Sequence, residues 1–433
     1  MKILKIIHGY PPLYNAGSEV YSQLLCHGLA LNHEVHVFTR EENSFAKDFS
    51  LRQSQDPVNS EITLHIINIP VEKFRYRYQH DQVDQIFIKI LLQIKPDVVH
   101  IGHLNHLSTG LIFEIAKHNI PIVYTLHDYW LMCPRGQFIQ RNSLNKEDLW
   151  ALCDGQNNKK CATQCYAGYF SGASNEIPID IAYWEDWVNR RMVNIRKITQ
   201  HIDCFIAPSY YLYNRYVQEF NLPKNKIIYL DYGFDLQRFK NRKRILNDPF
   251  TFGYIGTHIP AKGIQILISA FALLKGNSKL RIWGRHRSQS TDGLYAIASN
   301  LPLVIQKRIE WLHEYSNEHI IRDVFNYLDC VVVPSIWVEN SPLVIHESLQ
   351  VRIPVITANV GGMAEYIRHE ENGLLFKHRC ISSLACQMQR LADNPRFAEQ
   401  LGVRGYLQSD NGDIPSLTVH TAAIEDIYHN LLR

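Results

Sequence analysis

Short runs of aliphatic and β-branched residues alternate with segments of helical period along nearly the whole chain, and no other feature limits the fold so strongly. The first series of these runs comprises Ile3–Ile7, Val35–Phe38, Leu64–Ile67, Val98–Ile101 and Ile122–Thr125. Helical segments at Ser18–Leu31 and at positions 81–94 and 108–118 separate them. Because the runs are almost continuously apolar, we expect strands buried on both faces, in a parallel sheet covered by helices on each side.

A second series of the same kind follows a polar stretch at positions 241–248. Its predicted strands are Phe250–Ile255, Leu280–Trp283, Cys330–Val333, Val355–Thr357 and Leu374–Phe376. A chain of 433 residues is large enough for two domains, so the two series predict two doubly wound α/β domains. We place these domains at residues 1–238 and 239–415, with a C-terminal helix at 416–433 that packs back across them. Domains of this kind bind ligands at the carboxyl ends of their strands, so the informative residues should follow strands directly.

The charge of the chain is nearly balanced, which argues against a nucleic-acid binder. Lys and Arg number 45 against 42 Asp and Glu, a formal net charge of +3. The first residues lack the features of a signal peptide, and no apolar stretch approaches the roughly 20 residues that cross a bilayer. We therefore expect a cytoplasmic protein. The segment Tyr183–His201 mixes aromatic and basic residues, which predicts either peripheral contact with the inner membrane face or an ordinary amphipathic surface helix.

The regular alternation stops after Asp128 and resumes with a helix near 183–200 and a strand at Cys204–Ala207, so we predict an insertion at 129–182. Four of the nine cysteines lie in this insertion, namely Cys133, Cys153, Cys161 and Cys165. In an intracellular protein such a cluster points to a metal before disulfides. We hypothesise a structural zinc site of four cysteines that holds the insertion together, with four reduced, partly buried thiols as the alternative.

A glycine-bearing turn follows the first strand of each series. The first turn runs from His8 to Glu19 and contains Ala16-Gly17, and the second ends at Lys262-Gly263. A helix N-terminus favours an anion, and a lysine adds a point charge. Neither turn has the spacing of a dinucleotide-binding or P-loop motif. The turns predict two anion contacts, with a plain loop and a solvated lysine as the alternatives.

Two glutamates flank a predicted helix start in the second series. Ser341 is the predicted N-cap, with Pro342 at the first helical position, so Glu339 falls in the loop at the carboxyl end of a strand. Glu347 shares a helical face with apolar residues, where a carboxylate needs hydrogen-bond donors. Paired sugar hydroxyls are suitable donors, and a buried ion pair with a Lys or Arg is the alternative.

Two further passages follow strands. His127-Asp128 comes after Ile122–Thr125, where His127 can hydrogen-bond a substrate hydroxyl or pair with Asp128. Gly361-Gly362 comes after Val355–Thr357 and predicts either a tight packing turn or a ligand contact.

Taken together, these residues resemble the retaining glycosyltransferases of family 4, whose GT-B fold has two Rossmann-like domains facing a central cleft. The matching motifs of the first half are Pro-Pro-x-x-x-Ala-Gly17, Val98–His103, Thr125–Asp128, Ala207–Ser209 and Tyr232–Asp235. The second half adds Ala261–Gly263, the E-x₇-E pair of Glu339 and Glu347, and Pro354–Glu365. The motifs follow in order along most of the chain.

The resemblance implies a hexosyltransferase of polysaccharide biosynthesis that moves a sugar from a nucleotide-diphosphate-sugar to a glycan or lipid-linked acceptor. It implies retention at the anomeric carbon, without a metal or other catalytic cofactor. The catalytic residues that it implies are His127, Glu339 and Lys262. The implied donor-binding residues are Gly17, Thr257, Lys262, Ser341, Pro342, Leu343, Val344, Glu347 and Trp311. The implied acceptor side comprises His103, Asn105 and Asp128.

The chain departs from the family pattern at two positions near the donor. Gly256-Thr257 stands where the family usually has Gly-Arg, so Lys262 becomes the main cationic contact for a diphosphate. Ile309–Trp311 replaces a common Phe-x-Gly, and Trp311 can stack on a base or pack internally. An epimerase or phosphorylase of the same fold is the alternative enzyme, and a glycan-binding protein without activity is the rival outside enzymes.

Overall fold

The computed structural model describes residues 1–69, 78–140, 150–167, 176–243 and 249–433. The chain forms two units, one of Met1–Phe234 with Pro415–Arg433 and one of Asp235–Ile414. The predicted junction at 238–239 lies a few residues beyond Phe234. Parts of the predicted insertion and of the polar stretch 241–248 lie outside the described residues.

An eight-stranded sheet forms the centre of the first unit. Its strands are β1 (Lys2–Ile6), β2 (Glu34–Glu41), β3 (Leu51–Gln55), β4 (Ile62–Asn68), β5 (Val98–Ile101), β6 (Ile122–Thr125), β7 (Cys204–Ala207) and β8 (Ile227–Tyr229). Their order is β3-β4-β2-β1-β5-β6-β7-β8, parallel except for β3, which pairs antiparallel with β4. Every residue of β5, β6 and β7 is buried, as expected for strands covered on both faces.

Helices cover this sheet and begin where the sequence offers N-terminal signals. They are α1 (Gly17–Leu29), α2 (Asp81–Ile94), α3 (Gly110–Lys117), α4 (Asn158–Cys161), α5 (Ile177–Gln200) and α6 (Tyr210–Gln218). Asp81 and Asp84 lie in the first turn of α2, where a carboxylate is favourable to the helix dipole. The Ser209 hydroxyl caps α6 by accepting a hydrogen bond from the Leu212 amide at 3.1 Å.

The second unit repeats the design with a fully parallel sheet. Its strands are β9 (Thr251–Ile255), β10 (Lys279–Trp283), β11 (Ile309–Trp311), β12 (Cys330–Val333), β13 (Val355–Ala358) and β14 (Gly373–Phe376), in the order β11-β10-β9-β12-β13-β14. Its helices are α7 (Ile264–Phe271), α8 (Ser288–Ser299), α9 (Leu303–Gln306), α10 (Ile320–Asp323), α11 (Leu343–Gln350), α12 (Gly361–Glu365), α13 (Ile381–Asp393) and α14 (Pro395–Arg404). The expectation of two doubly wound α/β domains is confirmed.

The first strand of each unit lies where the strand order reverses. β1 lies between β2 and β5, and β9 lies between β10 and β12. Loops diverge at such a switch point and leave room for a ligand at the carboxyl ends of the strands. Both glycine-bearing turns of the sequence therefore follow the strand at which a ligand site is expected.

The last helix, α15 (Leu417–Leu432), belongs to the first unit. Its Tyr428 hydroxyl lies 2.5 Å from His100 Nδ1, and its His420 Nε2 lies 2.9 Å from the Tyr21 hydroxyl. Ser416 caps the helix by accepting from the Val419 amide at 3.2 Å. The C-terminal helix thus completes the core of the unit in which the chain begins.

None of the helices in the described ranges is long and apolar enough to cross a membrane. The aromatic and basic segment that suggested membrane contact forms much of α5. Trp184 and Arg191 are fully buried there, so these two side chains cannot form a membrane-facing surface. The exposed apolar side chains of α5 are Ile179, Tyr183 and Val193.

Candidate active site

Two loops of the second unit meet at the carboxyl edge of its sheet. Gly263, at the start of α7, has φ +73°, and a Cβ there would lie 1.9 Å from the Pro334 carbonyl oxygen. The amides of Ile336 and Trp337 donate to the Ala261 carbonyl at 2.9 and 3.2 Å. The loop after β9 therefore packs directly on the loop after β12, and only glycine fits at position 263.

This packing brings Lys262 to Glu339. Lys262 Nζ lies 2.6 Å from Glu339 Oε2, and the Ser335 hydroxyl donates to the other carboxylate oxygen. The Glu339 residue is only 5% exposed, whereas the Lys262 side chain keeps 27% of its surface in solvent. Lys262 Nζ also lies 5.6 Å from the centroid of the Trp337 ring. The result is a fixed carboxylate beside an accessible ammonium group that can meet an anion.

A third loop packs against the backbone of Glu339 and Asn340. The Gly362 amide donates to the Glu339 carbonyl at 3.0 Å, and a Cβ on Gly362 would lie 1.4 Å from the Asn340 carbonyl oxygen. At Gly361-Gly362 the backbone therefore packs closely on the backbone of the Glu339 loop, and this contact fixes the position of that loop.

The helix after Glu339 begins later than the sequence predicted. α11 starts at Leu343, so Pro342 occupies the cap position and Ser341 is not the N-cap. The Ser341 hydroxyl instead accepts a hydrogen bond from the Tyr366 hydroxyl at 3.0 Å. Ser341 to Val344 still form the backbone that leads into the helix, and the free amides of its first turn lie there.

Glu347 lies on the buried side of α11 and is 8% exposed. Burial raises the pKa of Glu347, while the charges of Arg238 and His346 oppose this shift. The ion pair considered as an alternative for such a glutamate forms at Glu339 with Lys262. A buried carboxylate with a raised pKa gains from hydrogen-bond donors, which ligand hydroxyls can provide.

Trp311 contacts His258, the residue that follows Thr257 in the chain. The Trp311 ring is 4.5 Å from the Tyr295 ring and 5.8 Å from the His258 ring, between centroids. His258 follows Thr257, whose carbonyl accepts from the Tyr254 hydroxyl at 3.1 Å. His258 is fully buried, and burial lowers its pKa to about 4, so its ring is neutral at pH 7.

In the first unit His127 lies among aromatic rings rather than against Asp128. Its Nδ1 is 2.7 Å from the Tyr232 hydroxyl, and its ring is 5.3 Å from the Tyr21 ring. Burial, and then the charge of Lys5, hold the pKa of His127 well below its usual value. A neutral imidazole can donate or accept a hydrogen bond, but it carries no charge at pH 7.

Asp128 pairs with the other predicted histidine of this unit. His103 Nε2 lies 3.4 Å from Asp128 Oδ2, and Asp128 Oδ1 accepts from the Trp130 amide at 2.7 Å. The Asn105 amide donates to His103 Nδ1 at 2.9 Å. The predicted acceptor-side residues therefore form one connected set after β5 and β6.

His8 and Glu19 extend this set, although the sequence assigned neither a role. The His8 ring is 4.5 Å from the His103 ring, and His8 Nε2 is 3.4 Å from Glu19 Oε1. Glu19 lies in the first turn of α1, which Gly17 begins. Their positions at the two ends of the glycine-bearing turn are the signal that could have identified them.

The structure does not assemble the predicted zinc site. Within the described ranges, no three His, Cys, Asp or Glu side chains are grouped so that they could hold a metal ion. Burial raises the pKa of Cys161 to about 12, and the charges of Cys133, Cys165 and Cys153 act in the same direction. The thiol of Cys153 is directed to the Gly155 carbonyl at 3.1 Å. Cys133 and Cys165, the other two predicted ligands, form no disulfide.

Aromatic and cationic packing holds the described part of the insertion instead. The Arg191 guanidinium donates to the Trp130 carbonyl at 2.6 Å and lies 4.6 Å from the Trp130 ring centroid. The rings of Tyr166 and Trp184 stack at 4.8 Å. α5 therefore anchors the described part of the insertion to the first unit.

Two family models together match most of the chain. The model described as "Glycosyl transferases group 1" matches residues 235–408. The one described as "Glycosyltransferase Family 4" matches residues 16–238, which is more than half of the chain. The chain belongs to glycosyltransferase family 4. This membership confirms the resemblance drawn from the ordered motifs.

A relative and two solved structures illustrate the range of this family-4 chain's similarities. The chain is 26% identical over 231 residues to the capsular polysaccharide biosynthesis glycosyltransferase CapM of Staphylococcus aureus, covering 49% of this chain and 58% of CapM. The match thus spans little more than half the length of that relative. Sucrose-phosphate synthase from Thermosynechococcus elongatus is 17% identical with a TM-score of 0.72, covering 100% of this chain and 99% of that one. Anabaena Alr3699/HepE in complex with UDP-glucose is 16% identical with a TM-score of 0.66, covering 99% and 100%. These likenesses support the GT-B fold.

Proposed function

We propose that this protein transfers a hexose from a nucleotide-diphosphate-sugar to a glycan acceptor, with retention at the anomeric carbon. The observation that carries the proposal is the pair of Lys262 and Glu339, held at 2.6 Å by three tightly packed loops at a switch point of the second unit. Membership in family 4 and similarity to CapM and to the UDP-glucose complex of HepE support the same reaction class.

The donor diphosphate is the ligand that we assign to Lys262. Its ammonium group is partly exposed while its partner carboxylate is buried, so an incoming anion can share the charge without moving Glu339. Thr257, Gly17 and the backbone amides of Ser341, Leu343 and Val344 are the further hydrogen-bond donors that we assign to the diphosphate. No metal is needed for charge compensation in this scheme, because a lysine and backbone dipoles face the developing negative charge.

Glu347 is the residue that we assign to the ribose of the nucleotide. Two ribose hydroxyls can donate to its carboxylate, and this would relieve the desolvation that raises its pKa. Trp311 is the proposed neighbour of the base. Glu339 and His127 position the donor sugar, with His127 as a neutral hydrogen-bonding group.

The proposed chemistry takes place on one face of the sugar. The bond from the anomeric carbon to the diphosphate oxygen breaks, and the acceptor oxygen forms its new bond on the same side. The acceptor proton passes to the departing phosphate oxygen, so the atoms balance without a separate general base. His103, Asn105 and Asp128 are the proposed contacts of the acceptor hydroxyl, and the acceptor is a free or lipid-linked glycan.

Thermal unfolding with UDP, GDP, ADP and their hexose conjugates tests the donor half of this proposal. A ligand at 100 times its Kd adds roughly 2.7 kcal/mol to the folded state, which gives a readable shift. NMR of the sugar product from the stabilising donor then reports its anomeric configuration. A folded sample that no nucleotide stabilises, or a product of inverted configuration, would contradict the proposal.

A matched pair of variants links the reaction to the site. Glu339→Gln should lower turnover at least a hundredfold, since a positioning group acts in the transition state. Glu310→Gln removes a carboxylate that also pairs with cations of the second unit, Lys279 at 2.8 Å and Arg281 at 2.6 Å. If these two variants are equally active, Glu339 has no role in the reaction.

A further inference from the structure

A buried lysine lies close to the aromatic rings that surround His127. Lys5 is the fourth residue of β1 and is 1% exposed. In the part of the chain that the structure describes, its Nζ has no hydrogen-bond partner. An ammonium group in the protein interior is costly unless it is paired, and perturbed ionisable groups of this kind cluster at functional sites.

The groups that face Lys5 on α1 and β5 are rings and a thiol. The centroid of the Tyr21 ring lies 5.8 Å from Lys5 Nζ, within the range of a cation–π contact. Cys26 is a buried thiol of α1, and burial raises its pKa to about 12. His100 of β5 pairs with Lys5 in register, so the two side chains lie on the same face of the sheet. None of these groups is an anion at pH 7.

Tyr21 links Lys5 to His127. The Tyr21 ring lies 5.3 Å from the His127 ring and 4.6 Å from the Tyr232 ring, between centroids. The Tyr232 hydroxyl is 2.7 Å from His127 Nδ1, and the Tyr21 hydroxyl is 2.9 Å from His420 Nε2 of α15. Lys5 and His127 therefore belong to one buried cluster of the first unit, where water and salt screen a charge only weakly.

At neutral pH Lys5 carries a positive charge within this cluster. Burial lowers the pKa of Lys5 to about 8, so most of its amine is still protonated at pH 7. Burial, and then the charge of Lys5, hold the pKa of His127 well below its usual value. A second positive charge on the imidazole would meet the first inside the protein, and this repulsion disfavours it.

The other charged groups near His127 have a smaller influence on it. His103, which pairs with Asp128 at 3.4 Å, disfavours a charge on His127 as Lys5 does, but less strongly. At the buried histidine of α15, burial lowers the pKa and the charge of Asp231 opposes this shift. Lys5 is therefore the charged group that acts most strongly on the His127 ring.

We propose that Lys5 is a positioning residue that keeps the His127 ring uncharged and held between Tyr21 and Tyr232. An uncharged ring keeps one nitrogen that can accept a hydrogen bond, whereas a protonated ring can only donate. This inference rests on the proposed function, which assigns His127 to the donor sugar, and it adds a residue that does not itself contact that sugar.

An NMR titration of the histidine rings of the full chain tests this inference without an activity assay. The His127 signals are those that disappear in His127→Gln. Lys5→Met removes the charge and keeps a similar shape. The His127 midpoint should then rise by about one pH unit, the effect of a unit charge roughly 10 Å away at an effective dielectric constant of about 20. An unchanged midpoint would overturn the proposal.

Lys2→Met is the matched control for this titration. Lys2 lies on the same strand, but its side chain is 34% exposed and pairs with Glu34 at 3.4 Å. Its removal should leave the His127 midpoint where it is in the wild type. A rise as large as that in Lys5→Met would show that any charge on β1 has this effect, which would also overturn the proposal.

The wild type alone provides a second measurement, which does not depend on the folding of a variant. Between pH 7 and pH 9.5 Lys5 loses its own charge, so the ring signals of His127 should shift with a midpoint near pH 8. His258, a buried histidine of the second unit, is the internal control and should show no such step. A His127 signal that stays constant over this range would overturn the proposal.

The pH profile of nucleotide-sugar turnover separates failure of this inference from failure of the proposed function. If the His127 midpoint rises in Lys5→Met and the acid limb of the profile moves up with it, both stand. If the midpoint rises and the profile stays that of the wild type, Lys5 controls the charge of the ring, and the assignment of His127 to the donor sugar is wrong. If turnover falls at every pH with an unchanged midpoint, Lys5 is only structural and the inference is wrong.

Discussion

The pairing of Lys262 with Glu339 predicts that the two residues affect different quantities. The Lys262 ammonium group should determine nucleotide affinity, and the charge balance of the pair should determine the stability of the fold. Lys262→Met deletes the ammonium group that we assign to the donor diphosphate. A hydrogen bond to a charged group contributes about 1.5–3 kcal/mol, so nucleotide Kd should rise about 10- to 150-fold. The same change leaves the Glu339 carboxylate, only 5% exposed, without its cation. That unpaired buried charge should lower the free energy of unfolding by about 1–3 kcal/mol.

The double variant Lys262→Met/Glu339→Gln distinguishes the two effects. A neutral amide at 339 no longer needs a cation and can keep a hydrogen bond with Ser335, so most of the lost stability should return. Nucleotide affinity should stay low, because the missing ammonium group is not replaced. Lys279→Met is the control, because it breaks an exposed pair with Glu310 at 2.8 Å in the same unit. It should change stability by about 1 kcal/mol or less.

Calorimetric titration with the stabilising nucleotide and chemical unfolding of the same four proteins measure both quantities. If Lys262→Met binds the nucleotide with wild-type affinity, Lys262 does not contact the diphosphate. A double variant less stable than Lys262→Met would show that the charge of Glu339 is satisfied by groups other than Lys262. Either result would refute the reasoning from the pair.

Three further outcomes follow from burial, packing and charge. Burial lowers the pKa of His65, His258 and His420 to about 4. Below pH 6.5 the unfolded chain therefore binds more protons than the folded chain, and the free energy of unfolding falls as the pH drops. At pH 5 the loss should be on the order of 2 kcal/mol per histidine, and equal unfolding free energies at pH 7.5 and pH 5 would contradict this. Gly362→Ala places a Cβ 1.4 Å from a backbone carbonyl and should lower the Tm by several degrees, whereas Gly293→Ala, with open space around it, should not. A chelator should leave nucleotide-sugar turnover unchanged, since a lysine offsets the diphosphate charge in the proposed reaction, and loss of activity with EDTA would count against it.

The alternation of strands and helices was enough to predict the two parallel sheets. The strands that it missed are short or polar. β3 reads Leu-Arg-Gln-Ser-Gln and has four exposed residues of five, so it has no hydrophobic signal. β8 and β11 have three residues each, too few for a period to emerge. Edge strands of this kind form because a neighbouring strand offers hydrogen bonds, which is a tertiary effect.

The candidate site was predictable where a residue directly follows a strand. Lys262 and Glu339 are examples, because parallel strands bring their carboxyl ends to one edge. The predicted start of α11 was wrong because the Ser341 hydroxyl accepts a hydrogen bond from Tyr366, which is distant in sequence, and does not cap the helix. The four cysteines of the hypothesised zinc site are not grouped as metal ligands within the described ranges. Their spacing along the chain does not fix the direction of each thiol, such as that of Cys153 toward the Gly155 carbonyl.

The surroundings of His127 show most clearly what local patterns leave out. Its partner Tyr232 precedes Gly233, where a Cβ would lie 2.3 Å from the Cβ of His420. His420 belongs to α15 and also contacts the hydroxyl of Tyr21, whose ring lies beside His127. The last helix of the chain therefore packs behind the ring that we assign to the donor sugar. Because the contact joins residues nearly three hundred positions apart, only the folded chain reveals that α15 helps to position His127.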